Sequence, residues 1–205
     1  MKKKIGIIGA GNLAKTLARK FLKAGYEVTL SNTRGAASLT DVIADLGKGA
    51  AAGTPEAAVK AEIVILAIPW DQIKTLTKLT DWKNKIVIDA TNHFISYAPE
   101  FKTADLGGKA SSEVVATFVP GARLVKAFNT LYFKILGADP SFGGGKRVLF
   151  LSGDDLEAKK VVSELIVSMG HAPIDIGSLA EGSKTHQANG PLAGTDLILL
   201  DTVLA

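Results

Sequence analysis

Gly9, Gly11 and Ala14 form the pattern Gly-x-Gly-x-x-Ala, directly after the apolar run Lys4-Ile5-Gly6-Ile7-Ile8. Two glycines and a small residue at that spacing can hold a pyrophosphate against backbone. Gly9 makes the tight turn out of a strand. Gly11 leaves room for the pyrophosphate to approach, and Ala14 lets the following helix pack close to the sheet. The helix N-terminus then offers free N–H groups and the positive end of its dipole. In a chain with 21 glycines the pattern also arises from packing alone, so its context must decide. Leu13, Leu17, Phe21 and Leu22 fall on one helical face, Gly25 closes that helix, and the strand Glu27-Val28-Thr29-Leu30 follows. A dinucleotide-binding strand–helix–strand unit is the expectation.

The end of the second strand chooses the dinucleotide. NAD binders place a carboxylate there for the ribose hydroxyls. This chain has Ser31-Asn32-Thr33-Arg34, with no carboxylate to repel a 2′-phosphate. Arg34 can pair with that phosphate, and Ser31, Asn32 and Thr33 can donate to it. NADP(H) is therefore expected. Two further segments stand at carboxyl ends of strands: Ile68-Pro69-Trp70, and Ala90-Thr91-Asn92. Pro69 fixes its backbone, as suits a flat wall beside ribose or nicotinamide. Trp70 reads equally as core or as ligand wall.

Strand and helix patterns alternate along the chain, the signature of an α/β fold with a doubly wound parallel sheet of Rossmann type. Ser38 to Leu46 reads as a short helix ending at Gly47. Thr54-Pro55-Glu56 reads as a helix start. Glu62 to Ile68 is an apolar strand, Asp71 to Leu79 a helix, and Ile86 to Ala90 a strand. Residues 92–109 read as a long loop, with Pro99 and Gly107-Gly108. Ser111-Ser112-Glu113 caps a helix over Val114 to Val119, and the strand Arg123 to Phe128 follows. Gly143-Gly144-Gly145 reads as a flexible break before the strand Val148 to Leu151. Asp154-Asp155-Leu156-Glu157 caps a helix running to Met169, and a strand over Ala172 to Ile176 comes next. The expected organisation is a nucleotide-binding domain over residues 1–129 and a small C-terminal α/β extension over 130–205.

Bulk properties narrow the function classes. The 205 residues are 47% hydrophobic, which suits one or two packed domains. There is no cysteine, so disulfides, thiolate catalysis and cysteine-based metal sites are excluded. His93, His171 and His186 are too scattered to suggest a metal cluster. The formal net charge is +4, with Lys2, Lys3 and Lys4 reading as a solvated terminus. No interleaving of basic and aromatic residues suggests nucleic acid. The apolar start lacks a cleavage site and no apolar run reaches the length of a membrane span, so a cytoplasmic protein is expected.

Four segments together carry a resemblance. These are Gly9-x-Gly11-x-x-Ala14, Ser31 to Arg34, Ala67-Ile68-Pro69-Trp70, and Val125-Lys126-Ala127-Phe128-Asn129-Thr130. They resemble the NADP oxidoreductases dependent on the deazaflavin coenzyme F-420. The cytosolic domain of the six-transmembrane metalloreductases is similar too. The resemblance extends over nearly the whole chain, and Gly190 to Gly194 also looks familial. It implies that Gly9, Asn12 and Leu13 line the pyrophosphate, and that Thr33 and Arg34 take the 2′-phosphate. Ile68, Pro69 and Trp70, with Ala90 and Asn92, would flank the inner ribose and nicotinamide. Ala127 to Asn129 would floor the acceptor pocket.

The implied activity is hydride transfer between NADP(H) and a deazaflavin, a flavin or another small electron acceptor. Such transfer asks the protein for positioning and for exclusion of water more than for acid–base groups. No catalytic residue is evident. The acceptor ring is expected under the 92–109 loop and the C-terminal segment. His93 either helps protonate it or is a surface histidine, and His186 is equally ambiguous. One rival is a β-hydroxyacid or pyrroline-carboxylate type of dehydrogenase, which needs a large helical C-terminal domain. The other is an NADPH-binding redox sensor without turnover. The apolar tail Leu197 to Leu200 either supports a homodimer or closes the monomer.

Overall fold

A strand that is apolar at every position needs cover on both faces, and that requirement organises this chain. In the computed structural model, residues 4–200 are described; the first three and the last five residues lie outside them. The first half runs β1 (Lys4–Ile8), α1 (Asn12–Lys23), β2 (Glu27–Ser31), a 3₁₀ turn (Ala36–Leu39), α2 (Thr40–Leu46), β3 (Ala50–Gly53) and α3 (Pro55–Ala58). It continues with β4 (Ile63–Leu66), a 3₁₀ helix (Trp70–Lys78), β5 (Ile86–Asp89), β6 (Phe94–Ser96), β7 (Lys102–Thr103), α4 (Ser111–Phe118) and β8 (Arg123–Ala127). After it come α5 (Phe133–Gly137), β9 (Ser141–Phe142), β10 (Gly145–Gly153), α6 (Leu156–Ser168), β11 (Ala172–Asp175), α7 (Gly182–His186) and β12 (Ile198–Leu200).

The main sheet has the order β11-β10-β8-β5-β4-β1-β2-β3. The strands from β3 to β8 pair in parallel; β10 runs antiparallel to β8 and parallel to β11. This is the α/β, Rossmann-type sheet expected. Successive side chains go to opposite faces. Ile5, Ile7, Ile63, Ile65, Ile88 and Val125 pack beneath α1 and α6. Val64, Leu66, Val87 and Leu124 pack with α3, α4 and the 3₁₀ helix. The segment after Asn129 extends the same sheet rather than forming a helical bundle, among the described residues.

Several elements differ from their sequence reading. The helix expected over Asp71 to Leu79 is a 3₁₀ helix. Its apolar residues Trp70, Ile73 and Leu76 recur every third position and are all buried, which matches three residues per turn. The loop over 92–109 contains the hairpin β6–β7. Gly143-Gly144-Gly145 is no flexible break: Gly143 and Gly144 turn the β9–β10 hairpin at φ +58° and +83°. Ser111 and Ser112 lie in the first turn of α4 and do not cap it. The Glu113 carboxylate instead accepts from the Ala110 N–H at 2.6 Å. The tail Ile198–Leu200 pairs with β10, and its outer side chains Leu199 and Leu200 stay exposed.

The other cap readings agree with the structure. Thr54 accepts from the Ala57 N–H and Asp155 from the Ala158 N–H. Asp155 also takes a two-point ion pair from Arg123, which fastens the start of α6 to the start of β8.

Two histidines are buried in the second half, and both are held neutral. Burial pushes His171 down to about 4, helped by the Lys20 ammonium. Burial pushes His186 down to about 3, with Lys126 adding to the effect and Asp89 opposing it. The unfolded chain protonates both near pH 6.5, so below that pH it binds more protons than the folded chain. Stability is therefore expected to fall as pH drops from about 6.5 towards 4. Each histidine contributes up to about 1.4 kcal/mol per pH unit over that window. Urea unfolding midpoints measured from pH 7.5 to 4.5 check this, and His171→Phe should flatten the slope.

Candidate functional site

A cavity of about 1350 Å³ opens along the carboxyl edge of the sheet. It sits where the strand order reverses, between β1, whose neighbour on one side is β2, and β4 on the other. Open α/β sheets bind ligands at such a point. Its lining includes Gly9, Gly11, Asn12, Leu13, Asn32, Thr33, Ile68, Pro69, Ala90, Thr91, Asn92 and Asn129. Most of the residues singled out from the sequence thus come together on one surface.

The glycine turn has two different jobs. Gly9 has φ +119°, and a Cβ there would lie 2.1 Å from the Ala67 carbonyl oxygen. Its N–H donates to the Ser31 carbonyl at 2.9 Å. Gly9 therefore lets β1, β2 and the end of β4 converge. Gly11 has ordinary extended backbone, φ −73°, and a Cβ added to it would meet nothing within 4 Å. That Cβ would project into the open cavity. The N-terminus of α1 has no side-chain cap and no acidic residue in its first turn. Its N–H groups and positive dipole end are free for an anion, and the turn fits a pyrophosphate.

The segment after β2 splits its candidates. Ser31 is fully buried and its Oγ donates to the Ile7 carbonyl at 3.0 Å, so it faces the sheet and not the cavity. Asn32 holds the loop: its Oδ1 accepts from the Arg34 N–H at 3.0 Å, and its Nδ2 donates to Ser38 Oγ at 3.0 Å. Thr33 and Arg34 are exposed at the rim, and the Arg34 guanidinium has no salt bridge among the described residues.

Past β4, Ile68 and Pro69 line the cavity while Trp70 turns away from it. Trp70 is 9% exposed and packs edge-on against His93, with ring centroids 6.0 Å apart. Every third residue of its 3₁₀ helix faces the core, and Trp70 is the first of that series. Ala127 is likewise fully buried within β8 and does not reach the cavity.

The loop after β5 is set by a buried ion pair. Asp89 and Lys126 are both 0% exposed and lie side by side at the ends of β5 and β8, with Nζ and Oδ2 3.2 Å apart. Asp89 also accepts from Ser112 Oγ at 2.5 Å, Thr91 Oγ1 at 2.7 Å and the Thr91 N–H at 2.9 Å. Lys126 donates a second bond to the Thr91 carbonyl at 3.0 Å. Burial alone would raise the Asp89 carboxyl, but Lys126 and the hydroxyls of Ser112 and Thr91 outweigh it and hold the carboxyl below its usual range. On Lys126 burial wins over the one carboxylate and lowers its pKa.

Thr91 is thereby fixed, and Asn92 next to it meets Asn129. Asn92 Nδ2 donates to the Asn129 carbonyl at 2.9 Å, and Asn129 Nδ2 donates to Asn92 Oδ1 at 3.2 Å. Asn129 Nδ2 also reaches the His186 carbonyl at 2.6 Å, and the Ala188 N–H donates to Asn92 Oδ1 at 3.0 Å. The two asparagines tie the ends of β5 and β8 to the segment after α7. Phe128, at φ +67°, makes the bend that brings Asn129 round.

Neither candidate histidine lines the cavity. His93 is 5% exposed, sits behind the wall with Trp70, and is held below its ordinary pKa by burial and then by Lys126. It is not a surface histidine. His186 is fully buried, with Nε2 2.9 Å from Ser152 Oγ. The sequence reading missed the Asp89–Lys126 pair, although single opposite charges inside neighbouring apolar strands signal it. It also missed the aromatic wall of Phe94, Tyr97, Phe101, Tyr132 and Phe133. That wall lies in segments with no regular periodicity.

Comparison with known proteins follows this geometry. Residues 4–93 match the family model described as NADP oxidoreductase, coenzyme F420-dependent. A solved hypothetical protein from Sinorhizobium meliloti is 44% identical, covering 97% of this chain and 96% of that one, with a TM-score of 0.89. A candidate F420-dependent NADP reductase from Arthrobacter sp. FB24 shares the fold at 24% identity and TM-score 0.76, covering 87% of this chain and 86% of that one. Among curated proteins, metalloreductase STEAP3 of Rattus norvegicus is 32% identical over 86% of this chain, and this chain spans 34% of its length. Among the described residues, no helix is long and apolar enough to cross a membrane. With the glycine turn and the rim arginine in place, the chain is an NADP-dependent oxidoreductase whose residues 4–93 carry the match to the coenzyme F420-dependent family, and it is similar over nearly its whole length to the Sinorhizobium meliloti protein.

Proposed function

We propose that this chain binds NADP(H) along the carboxyl edge of its sheet and passes hydride between it and a deazaflavin, a flavin or another small electron acceptor. The observation that carries the reading is Gly11, whose missing Cβ leaves the space above an uncapped helix N-terminus open. The dinucleotide, when bound, supplies the hydride. The chain supplies position. Gly11, Asn12 and Leu13 hold the pyrophosphate through backbone N–H groups, and Gly9, whose own N–H is taken by Ser31, makes the turn that presents them. Thr33 and Arg34 meet the 2′-phosphate, with Asn32 bracing their loop. Ile68, Pro69, Ala90, Thr91 and Asn92 wall the nicotinamide end, and Asn129 anchors that wall from β8.

Among the described residues, no histidine, lysine, arginine or aspartate lines that end as an acid or base; catalysis there rests on alignment and exclusion of water. A homodimer in which the exposed β12 edge meets a second copy is part of this proposal, as is a cytoplasmic setting.

The direct test is NADPH oxidation with deazaflavin, FMN and quinone acceptors in turn. Turnover with at least one of them is expected. Tight NADPH binding without turnover on any would instead leave a redox sensor. Two variants test the donor half. Gly11→Ala should keep the wild-type melting temperature, because its Cβ meets no protein atom, yet weaken NADPH binding about tenfold or more by calorimetry. The same substitution at Gly9 should destabilise the fold. Arg34→Ala should weaken NADPH about tenfold to a hundredfold while leaving NADH unchanged, since a charge-assisted bond is worth ~1.5–3 kcal/mol. Equal losses for both cofactors would remove Arg34 from the 2′-phosphate site.

A further inference from the structure

We propose that the β6–β7 hairpin is the acceptor-binding arm of the cavity, and that the acceptor it takes is an uncharged, planar ring of quinone type. This rests on the reading of the cavity as the NADP(H) site and names the substrate class of its other half.

The hairpin starts two residues past Asn92, directly beside the nicotinamide end. It carries three aromatic rings that touch one another: Phe94 to Phe101 at 5.5 Å, Phe94 to Tyr97 at 5.8 Å and Tyr97 to Phe101 at 6.5 Å between centroids. All three line the cavity, yet Tyr97 is 54% and Phe101 63% exposed. From the segment after β8, Tyr132 and Phe133, with ring centroids 4.5 Å apart and planes tilted by 54°, line the same cavity, and Tyr132 is also largely exposed. Apolar rings left open on a concave wall are the usual lining of a small-molecule site. Flat conjugated ligands gain most from such rings, by stacking.

Charge narrows the ligand. Glu56 is the only carboxylate or ammonium side chain among the lining residues, and it follows β3, at the far edge of the sheet from the hairpin. The hairpin's own charges, Glu100 and Lys102, answer each other at 2.9 Å. Among the described residues, no lysine or arginine lines the cavity to hold a carboxylate or phosphate on the acceptor. Tyr97 adds a polar handle. Burial and the nearby Asp71 carboxylate push its hydroxyl above the ordinary tyrosine pKa, so it stays protonated and can donate to a ring carbonyl. The reaction balances: NADPH gives one hydride to the quinone and leaves as NADP⁺, and solvent gives one proton, yielding the hydroquinone.

The test is calorimetric titration of menadione, riboflavin and FMN into wild type and into Tyr97→Ala/Phe101→Ala, with NADP⁺ titrated separately into both. Menadione should bind wild type and bind the double variant about tenfold or more weakly. Tyr97→Phe should recover most of the affinity, and FMN should bind no tighter than riboflavin. The melting temperature and the NADP⁺ affinity of the double variant should match wild type, because the removed rings are exposed. Absence of menadione binding, equal binding by wild type and the double variant, or FMN preferred over riboflavin would each overturn the proposal. So would a change in mass by light scattering on removing the two rings, which would make the hairpin a protein interface. Loss of NADP⁺ binding in wild type would defeat the donor reading alone, while the hairpin's effect on menadione would still be read.

Discussion

Two opposite charges with no exposure to bulk solvent, Asp89 and Lys126, sit at the junction of this structure. Taking a carboxylate and an ammonium out of solvent costs several kcal/mol each unless both are fully bonded. Asp89 meets that demand with four donors, from Lys126, Ser112 and Thr91, drawn from β8, α4 and its own loop. Each donor must therefore stay where it is. The pair locks β5 to β8 at their carboxyl ends, pins the start of α4 above them, and sets the direction in which the chain leaves β5. The turn that carries Thr91 and Asn92 inherits its geometry from this arrangement. The asparagine pair and the segment after α7 inherit theirs in turn.

The cavity that results has two unlike halves. At the β1–β2 side, backbone N–H groups, a helix dipole and a rim arginine await negative charge. At the β5–β8 side, the wall is asparagine amides and aromatic rings with no charge of its own. A ligand with phosphates at one end and a flat, weakly polar ring at the other matches that division. The rigid part of the site stands on strand ends. The open aromatic part stands on a hairpin and a loop, where side chains can adjust to what they cover.

Much of this was legible in the chain. The glycine turn, the caps at Thr54 and Asp155, and the apolar strands each depend on neighbours within a few residues. Ser31 to Arg34 was legible as a loop without a carboxylate, but not residue by residue. Ser31 ends β2, and the alternation of a strand decides that it faces Ile7 while Thr33 faces out. Trp70 carried its own signal in the three-residue spacing to Ile73 and Leu76, which marks a 3₁₀ core helix. A spacing of three or four is shared with an α-helix, so the distinction rests on a small difference in period.

The aromatic wall and the buried pair were not legible in that way, because each joins residues far apart in sequence. Asp89 and Lys126 stand 37 positions apart, as do Asn92 and Asn129. By itself the sequence determined the donor half of the molecule: which strands are buried on both faces, where the phosphate turn falls, and which rim lacks a carboxylate. Those features are local, and local backbone chemistry specifies them. The tertiary structure alone decided which candidates reach the cavity, that the histidines lie behind its wall, and that five aromatic rings gather at its far end. Those outcomes follow from strand order and from the bonding demands of buried charge, and no short window of sequence contains either.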